Sequence, residues 1–245
     1  MATQLSGQAQ VTGAPLFASG GDTSPQHVVG QRVEANDGRV FRYVFATPTA
    51  LVAGKLQQSP AEKTDHQNLT APIAAIGATS LTVALGGTLA QLNEYAGGLA
   101  IISVTPGVGY SYRIKSHPAA AASADIILAL EDPIEVALTA TSRIDLVHNP
   151  YNGVIVHPTT ATGCPVGVAV DVISAGSYGW IQSQGPVGCL AAGALTVGRN
   201  AQASNAIAGA VQTTDLYAAT TRCIVGYAQT GVADTEYGAV YLTLD

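Results

Sequence analysis

Charged side chains are scarce in this sequence. They make up 11% of the residues, whereas soluble domains typically carry about 25%. The ten lysines and arginines form no run and the net charge is −6. Because phosphate backbones are bound by clustered cations, this pattern argues against nucleic acid as a partner. We expect much of the surface to be covered by other subunits, since interface cores are poor in charge; the alternative is a monomer that stays soluble through Thr, Ser, Gln and Asn.

The sequence also lacks long apolar runs. No stretch reaches the roughly 18 uninterrupted apolar residues of a membrane-spanning helix. Residues Met1–Ser6 have neither the basic nor the apolar region of a signal peptide. We therefore expect no membrane partner, and a protein that is made in the cytosol and remains there, at least until assembly.

Cysteine is rare and follows no metal-binding spacing. Cys164, Cys189 and Cys223 are far apart, and their odd number excludes a fully paired set within the chain. A zinc site needs further ligands nearby, and the sequence offers none. We expect three small buried side chains in a reducing compartment, and no metal.

Catalytic constellations are missing as well. His117 and His157 precede prolines and His148 precedes Asn149-Pro150, so we expect these histidines in exposed loops. The adjacent carboxylates Glu131 and Asp132 precede Pro133, which is typical of a turn. There is no G-x-S-x-G elbow. The sequence gives no support to an enzyme, and we expect no catalytic residues and no cofactor.

What the sequence does contain is many short apolar runs separated by Gly and Pro. Short strands at regular intervals with such turns are typical of a sandwich or barrel and not of βαβ units. The predicted fold class is all-β, with Gly/Ala-rich β-sandwich or barrel modules and an extended N-terminal arm. The strands predicted in the middle of the chain are Leu81–Leu85, Leu99–Val104, Tyr110–Ile114, Ile126–Leu130, Ile134–Leu138 and Arg143–Val147.

The predicted organisation has three parts. Residues 1–30 lack periodicity and contain Pro15 and Pro25, which predicts an extended arm. Residues 31–153 form a β-rich domain that starts with a hairpin, because Asn36-Asp37-Gly38 separates two alternating runs. Residues 154–245 form a C-terminal, barrel-like domain.

The C-terminal part contains an internal repeat. Val166-Gly167-Val168-Ala169 is followed twelve residues on by Tyr178-Gly179-Trp180-Ile181. Val225-Gly226-Tyr227-Ala228 is followed at the same spacing by Tyr237-Gly238-Ala239-Val240. This predicts two related hairpins; coincidence in a Gly/Ala/Val-rich chain is the alternative. Trp180, the only tryptophan, is predicted to be a buried core residue on a strand that ends at a Gly185-Pro186 turn.

The arm carries scattered apolar residues in an otherwise polar and small-residue context. Its composition cannot support independent folding. We hypothesise that it lies across a neighbouring subunit of its own oligomer or of a larger assembly. The candidate partner-binding residues are Leu5, Val11, Leu16 and Phe17.

Several segments resemble virion structural proteins of tailed bacteriophages, in particular capsid decoration (cement) proteins. The segments that carry the resemblance are Val29–Arg32 running into Asp37–Tyr43, Tyr110–Pro118, Asn149–Val154, Tyr178–Gln182 with Gly185-Pro186, and Val225–Ala228. The resemblance implies a β-rich protein on the outer surface of the capsid, often a homotrimer, that clamps neighbouring subunits of the major capsid protein. It implies no catalytic residues. A tail or head-fibre component, or a carbohydrate-binding module of a receptor-binding protein, are the alternatives.

The low charge content leads to a prediction about assembly. We expect a homotrimer in which each subunit buries more than about 1,000 Å². Light scattering coupled to size-exclusion chromatography measures the mass directly. A monomer at micromolar concentration would contradict a trimer in solution.

Overall fold

A computed structural model describes residues 19–70, 73–214 and 223–245 of the chain. It confirms the all-β class: the described residues contain no α-helix, and a single 3-10 turn spans Thr64–His66. The strands, numbered in chain order, are β1 (Arg32–Glu34), β2 (Val40–Ala46), β3 (Leu56–Gln58), β4 (Leu69–Thr70), β5 (Ser80–Ala84), β6 (Leu99–Val104), β7 (Ser111–Ser116), β8 (Asp125–Leu130), β9 (Arg143–Val147), β10 (Asn152–Val156), β11 (Pro165–Ala169), β12 (Tyr178–Leu190), β13 (Asn200–Ala203), β14 (Val211–Thr214), β15 (Ile224–Ala228) and β16 (Tyr237–Thr243).

The chain divides into two compact units, and the division differs from the predicted boundaries. Unit 1 combines residues 1–60 with 153–245, and unit 2 consists of residues 61–152. Residues 31–60 belong with the C-terminal part because β2 pairs along β12, with Trp180 opposite Tyr43. The sequence revealed the break near residue 153. It did not reveal that unit 2 is inserted into unit 1, because strand partners distant in sequence leave no local pattern.

Unit 1 is built from a ten-stranded sheet with the order β1-β2-β10-β3-β11-β12-β16-β15-β13-β14. An additional pairing between β2 and β12 closes five of these strands into a barrel. The other strands continue from β12, and a bridge between Ala191 and Val211 brings β14 back to the end of β12. The core beside this second set of strands is lined by small residues such as Ala201, Ala203 and Ala228.

Unit 2 is a six-stranded sheet with the order β4-β9-β6-β7-β8-β5, curled so far that its edge strands β4 and β5 come into contact. Its interior is a single aliphatic core around Tyr95. Alternation is clear in β7 and β8, where every second residue is buried. The predicted strand Ile134–Leu138 is wrong: Ile134 and Leu138 are buried, but their amides bond to separate points of a loop, Ala78 and Ala74.

The strand β12 connects the two parts of unit 1. The prediction that it ends at Gly185-Pro186 is wrong, because pairing with β16 continues from Gln184 to Leu190. The pairing with β2 is irregular at Ser183 and ends at Gln184, where the pairing with β16 begins. The side-chain amide of Gln182 donates to the carbonyls of Gln184 and Pro186, at 3.0 and 2.9 Å, and stabilises the passage.

The predicted repeat is visible in the strand pairing. In the first hairpin Val168 is opposite Gln182 and Ala169 is opposite Ile181. In the second hairpin the equivalent residues Tyr227 and Ala228 are opposite Tyr241 and Val240. The repeated glycine has a steric cause: a Cβ atom on Gly167 or Gly226 would clash with the backbone of the opposite strand.

Seven turns of one type, which the sequence did not predict, lie in the described parts of both units. An isolated bridge residue is followed three positions later by a residue with positive φ, and a strand begins soon after. Glycine or a short polar residue occupies that position because such residues tolerate positive φ. Six of these turns are joined in pairs by their bridge residues, whereas the bridge residue Ala74 pairs with Leu138 of another loop. The turns are Leu51–Gly54, Ile173–Gly176, Leu195–Gly198, Val232–Thr235, Ala74–Gly77, Ala90–Asn93 and Ala120–Ser123.

Trp180 is buried, as predicted, with 6% of its surface exposed. It packs against Tyr43 and His27, whose ring centroids lie 5.0 and 5.1 Å away. His27 belongs to the predicted arm, so residues 19–30 pack on the core of their own subunit. Asp22 anchors this segment through two backbone hydrogen bonds to Tyr178 and one side-chain hydrogen bond from the Tyr43 hydroxyl.

These contacts predict that two truncations will differ. Removing residues 2–28 deletes four backbone hydrogen bonds made by Gly20 and Asp22, each worth about 1 kcal/mol. We expect the melting temperature to fall by on the order of 10 °C and the emission of Trp180 to shift to longer wavelength. Removing residues 2–18 spares these contacts and should leave both values unchanged. Equal behaviour of the two truncations would contradict the docking of residues 19–30.

Candidate functional site

The predicted partner-binding residues, Leu5, Val11, Leu16 and Phe17, lie outside the described residues. Within the described part of the chain, three features could carry a function. They are a buried histidine–tyrosine cluster in unit 2, a pocket in unit 1, and an exposed apolar surface formed by loops of unit 2.

The histidine–tyrosine cluster surrounds Tyr95, which is fully buried. Its hydroxyl lies in hydrogen-bond contact with Nδ1 of His66, and its ring stacks on His148 with centroids 4.4 Å apart. The backbone amide of Tyr95 donates to Nε2 of His117 at 2.9 Å. Three of the five histidines in the sequence therefore meet at one point. The prediction that His117 and His157 are exposed is wrong, because both are only 3% exposed.

The hydrogen bonds of this cluster fix the protonation of His117. This ring accepts a hydrogen bond at Nε2, so its proton is on Nδ1, which faces the Pro118 carbonyl at 2.8 Å. Nε2 of His66 faces the Thr88 carbonyl at 3.0 Å, and its Nδ1 is in hydrogen-bond contact with the Tyr95 hydroxyl. Both rings use both nitrogens in contacts that hold the loops of unit 2 together.

A charged layer lies beside the rings. Glu94 contacts the ammonium group of Lys63 at 2.6 Å and Nε2 of His148 at 3.3 Å. Burial alone would raise the pKa of Glu94, but hydrogen bonds from His148, Lys63 and the Gln91 amide outweigh it and lower that pKa to about 2. Burial lowers the pKa of His117 below its ordinary value of 6.5.

No group of three or more potential ligands among the described histidines, cysteines, aspartates and glutamates is arranged to hold a metal ion. Cys189 is buried, and burial raises the pKa of its thiol to about 12. Cys164 and Cys223 are exposed, contrary to the prediction that all three cysteines are buried. Each lies immediately before the first strand of one repeat, β11 or β15, and outside the core.

The pocket in unit 1 has a volume of about 460 Å³ and lies along β12. Its walls include Gln182, Arg39 and Tyr237 among small and apolar residues. Arg39 is engaged by Asp37 at 2.7 Å and packs over Phe41. Among the described residues, Oε1 of Gln182 has no hydrogen-bond partner. The pocket presents no nucleophile beside a base, so its walls offer no hydrolytic chemistry.

The third feature is the end of the unit 2 barrel opposite the points where the chain enters and leaves this unit. Three loops meet there, residues 73–79, 104–110 and 131–142, and we call this region the apolar end. Leu138 joins them: its backbone pairs with Ala74, and its side chain lies beside Gly107. Further hydrogen bonds run from Gly77 to Ile134 and from Ser142 to Pro106. The loops are thus held to one another by hydrogen bonds between their backbones and side chains.

The tips of these loops expose large apolar side chains. Ile73 is 80% exposed and Ile76 is 68% exposed. Val108 and Tyr110, from the β6–β7 connection, are also exposed. Single exposed apolar residues are normal, but a group of them on adjoining loops marks a site of interaction. Exposed apolar tips on a fixed loop scaffold suit contact with another protein.

Comparison of the chain with protein-family models, with curated proteins and with solved structures finds no match. Within the described residues, no helix has the length and apolar character needed to cross a membrane.

Two buried histidines, His117 of the histidine–tyrosine cluster and His157 of unit 1, predict how stability depends on pH. Because the folded protein holds His117 and His157 with lowered pKa values, the unfolded chain binds more protons below about pH 6.5. The stabilisation that these two neutral histidines contribute to the folded state is complete above that pH and is lost as the pH falls. We expect the free energy of unfolding, from urea titrations, to decrease between pH 7 and pH 5.

The variant His117→Gln provides the comparison. It keeps a hydrogen-bonding side chain but does not titrate, so stability should fall less steeply with acidification than in the unaltered protein. A pH-independent stability of the unaltered protein between pH 7 and pH 5 would contradict the neutral state assigned to these histidines.

Proposed function

We propose that this protein is a structural component of a bacteriophage head that decorates the capsid shell by binding the major capsid protein. The support is the resemblance of several segments to capsid decoration proteins, together with a fold made of barrels whose exposed apolar end suits protein–protein contact. The observation that carries the proposal is the group of exposed apolar loop tips of unit 2 around Ile73 and Ile76.

The proposed mechanism is non-covalent and needs no cofactor. Many copies each bury a modest apolar area on the outer surface of the shell and oppose the pressure of packaged DNA. Assembly into a homotrimer multiplies weak contacts, because binding of one subunit raises the effective concentration of the others.

Binding to empty shells tests this function. Shells are assembled from the major capsid protein encoded in the same genome and are sedimented with the purified protein. We expect saturable binding with a fixed number of copies per shell, and cryo-electron microscopy should show them outside the shell. Absence of binding to shells, or density only at the tail, would overturn the proposal.

A further inference from the structure

The apolar end combines exposed apolar residues with acidic ones. The loop 131–142 carries Glu131, Asp132 and Glu135, all exposed. Arg113 lies 3.3 Å from Glu131 and balances that carboxylate. Among the described residues, no cation lies within ion-pair distance of Asp132 or Glu135. The loops 73–79 and 104–110 contain no charged residue. Arg143 directly follows the loop 131–142 and donates to the carbonyls of Ala140 and Ser142 in it. The surface is therefore an apolar patch beside the carboxylates Asp132 and Glu135.

This combination restricts what can cover the patch. Carboxylates without a cation of their own favour a partner that brings cations beside them, because like charges in an interface cost several kcal/mol per unfavourable juxtaposition. A second copy of the chain, which carries a net charge of −6, offers more carboxylates than cations. A surface with an apolar centre and cations at its rim matches the patch in both respects.

We infer that the apolar end docks, through Ile73 and Ile76, onto a partner protein with an apolar patch bordered by lysine or arginine, and that contacts between copies of this chain use other surfaces. This rests on the proposed function, in which the partner is the shell subunit. Asp132 and Glu135 act at the rim, where charges steer association and set its salt dependence.

Isoleucine substitutions test the apolar part. The double variant Ile73→Asp/Ile76→Asp should bind shells at least tenfold more weakly, because it removes two apolar anchors and adds charges that would be buried. The matched control is Ile127→Asp, which alters an isoleucine that is 56% exposed on β8, in the wall of the barrel. It should bind shells as the unaltered protein does. A gentler pair, Ile73→Ser/Ile76→Ser, excludes an effect of the new charges on folding, and melting temperatures are measured for every variant.

Neutralisation tests the acidic part. For the unaltered protein, binding to shells should weaken as sodium chloride is raised from 50 to about 300 mM, because exposed ion pairs are screened. The variant Asp132→Asn/Glu135→Gln should show a smaller dependence on salt. In size-exclusion chromatography all variants should keep the oligomeric state of the unaltered protein.

The outcomes separate the two proposals. If the unaltered protein does not bind shells, the proposed function fails, and the partner assigned to the apolar end fails with it. If it binds and the isoleucine variants bind equally well, decoration stands and the docking surface is overturned. If the isoleucine variants change the oligomeric state, the apolar end joins copies of this chain and the inference is wrong.

Discussion

Unit 1 depends on one strand that changes partners. The first half of β12 lies against β2 and β11, and its second half lies against β16. The change occurs beside Ser183 of β12, whose hydroxyl donates to Asp245 at 2.9 Å. Asp245 also accepts from Arg42 of β2 at 2.6 Å. Burial would raise the pKa of Asp245, but the hydrogen bonds from Arg42 and Ser183 and the charges of Arg42 and Arg32 together lower it and keep the carboxylate charged.

This arrangement explains why the first residues that the structure describes matter to the core. Tyr43 of β2 and Trp180 of β12 pack in one core cluster with Val33 and Phe41. Residues 22–27 cover this cluster, with Asp22 on Tyr43 and His27 on Trp180. The segment therefore contributes to the stability of its own subunit.

The two ends of the unit 2 barrel carry different side chains. At the end where the chain enters and leaves, buried rings and the Glu94–Lys63 pair use their polar atoms on one another. At the other end, backbone hydrogen bonds hold the loops in place, and the apolar side chains of Ile73 and Ile76 remain exposed. A surface that is fixed before binding loses little conformational entropy when a partner covers it. That is a suitable property for a protein whose proposed role is to bind a rigid shell.

The local features of this protein could be predicted from its amino-acid sequence. Alternating runs and Gly-rich turns predicted the all-β class, strands β6 and β9, the burial of Trp180 and the repeated Val-Gly hairpins, because all of these follow from period-2 patterning within one or two strands. Three features became evident only from the fold: the insertion of unit 2, the continuation of β12 past Pro186, and the burial of His66, His117 and His157. Each of these depends on a partner distant in the chain, such as β16 for β12 or Tyr95 for His66. The apolar end belongs to the same class, because Ile73 and Val108 are brought to one surface only by the closure of the barrel.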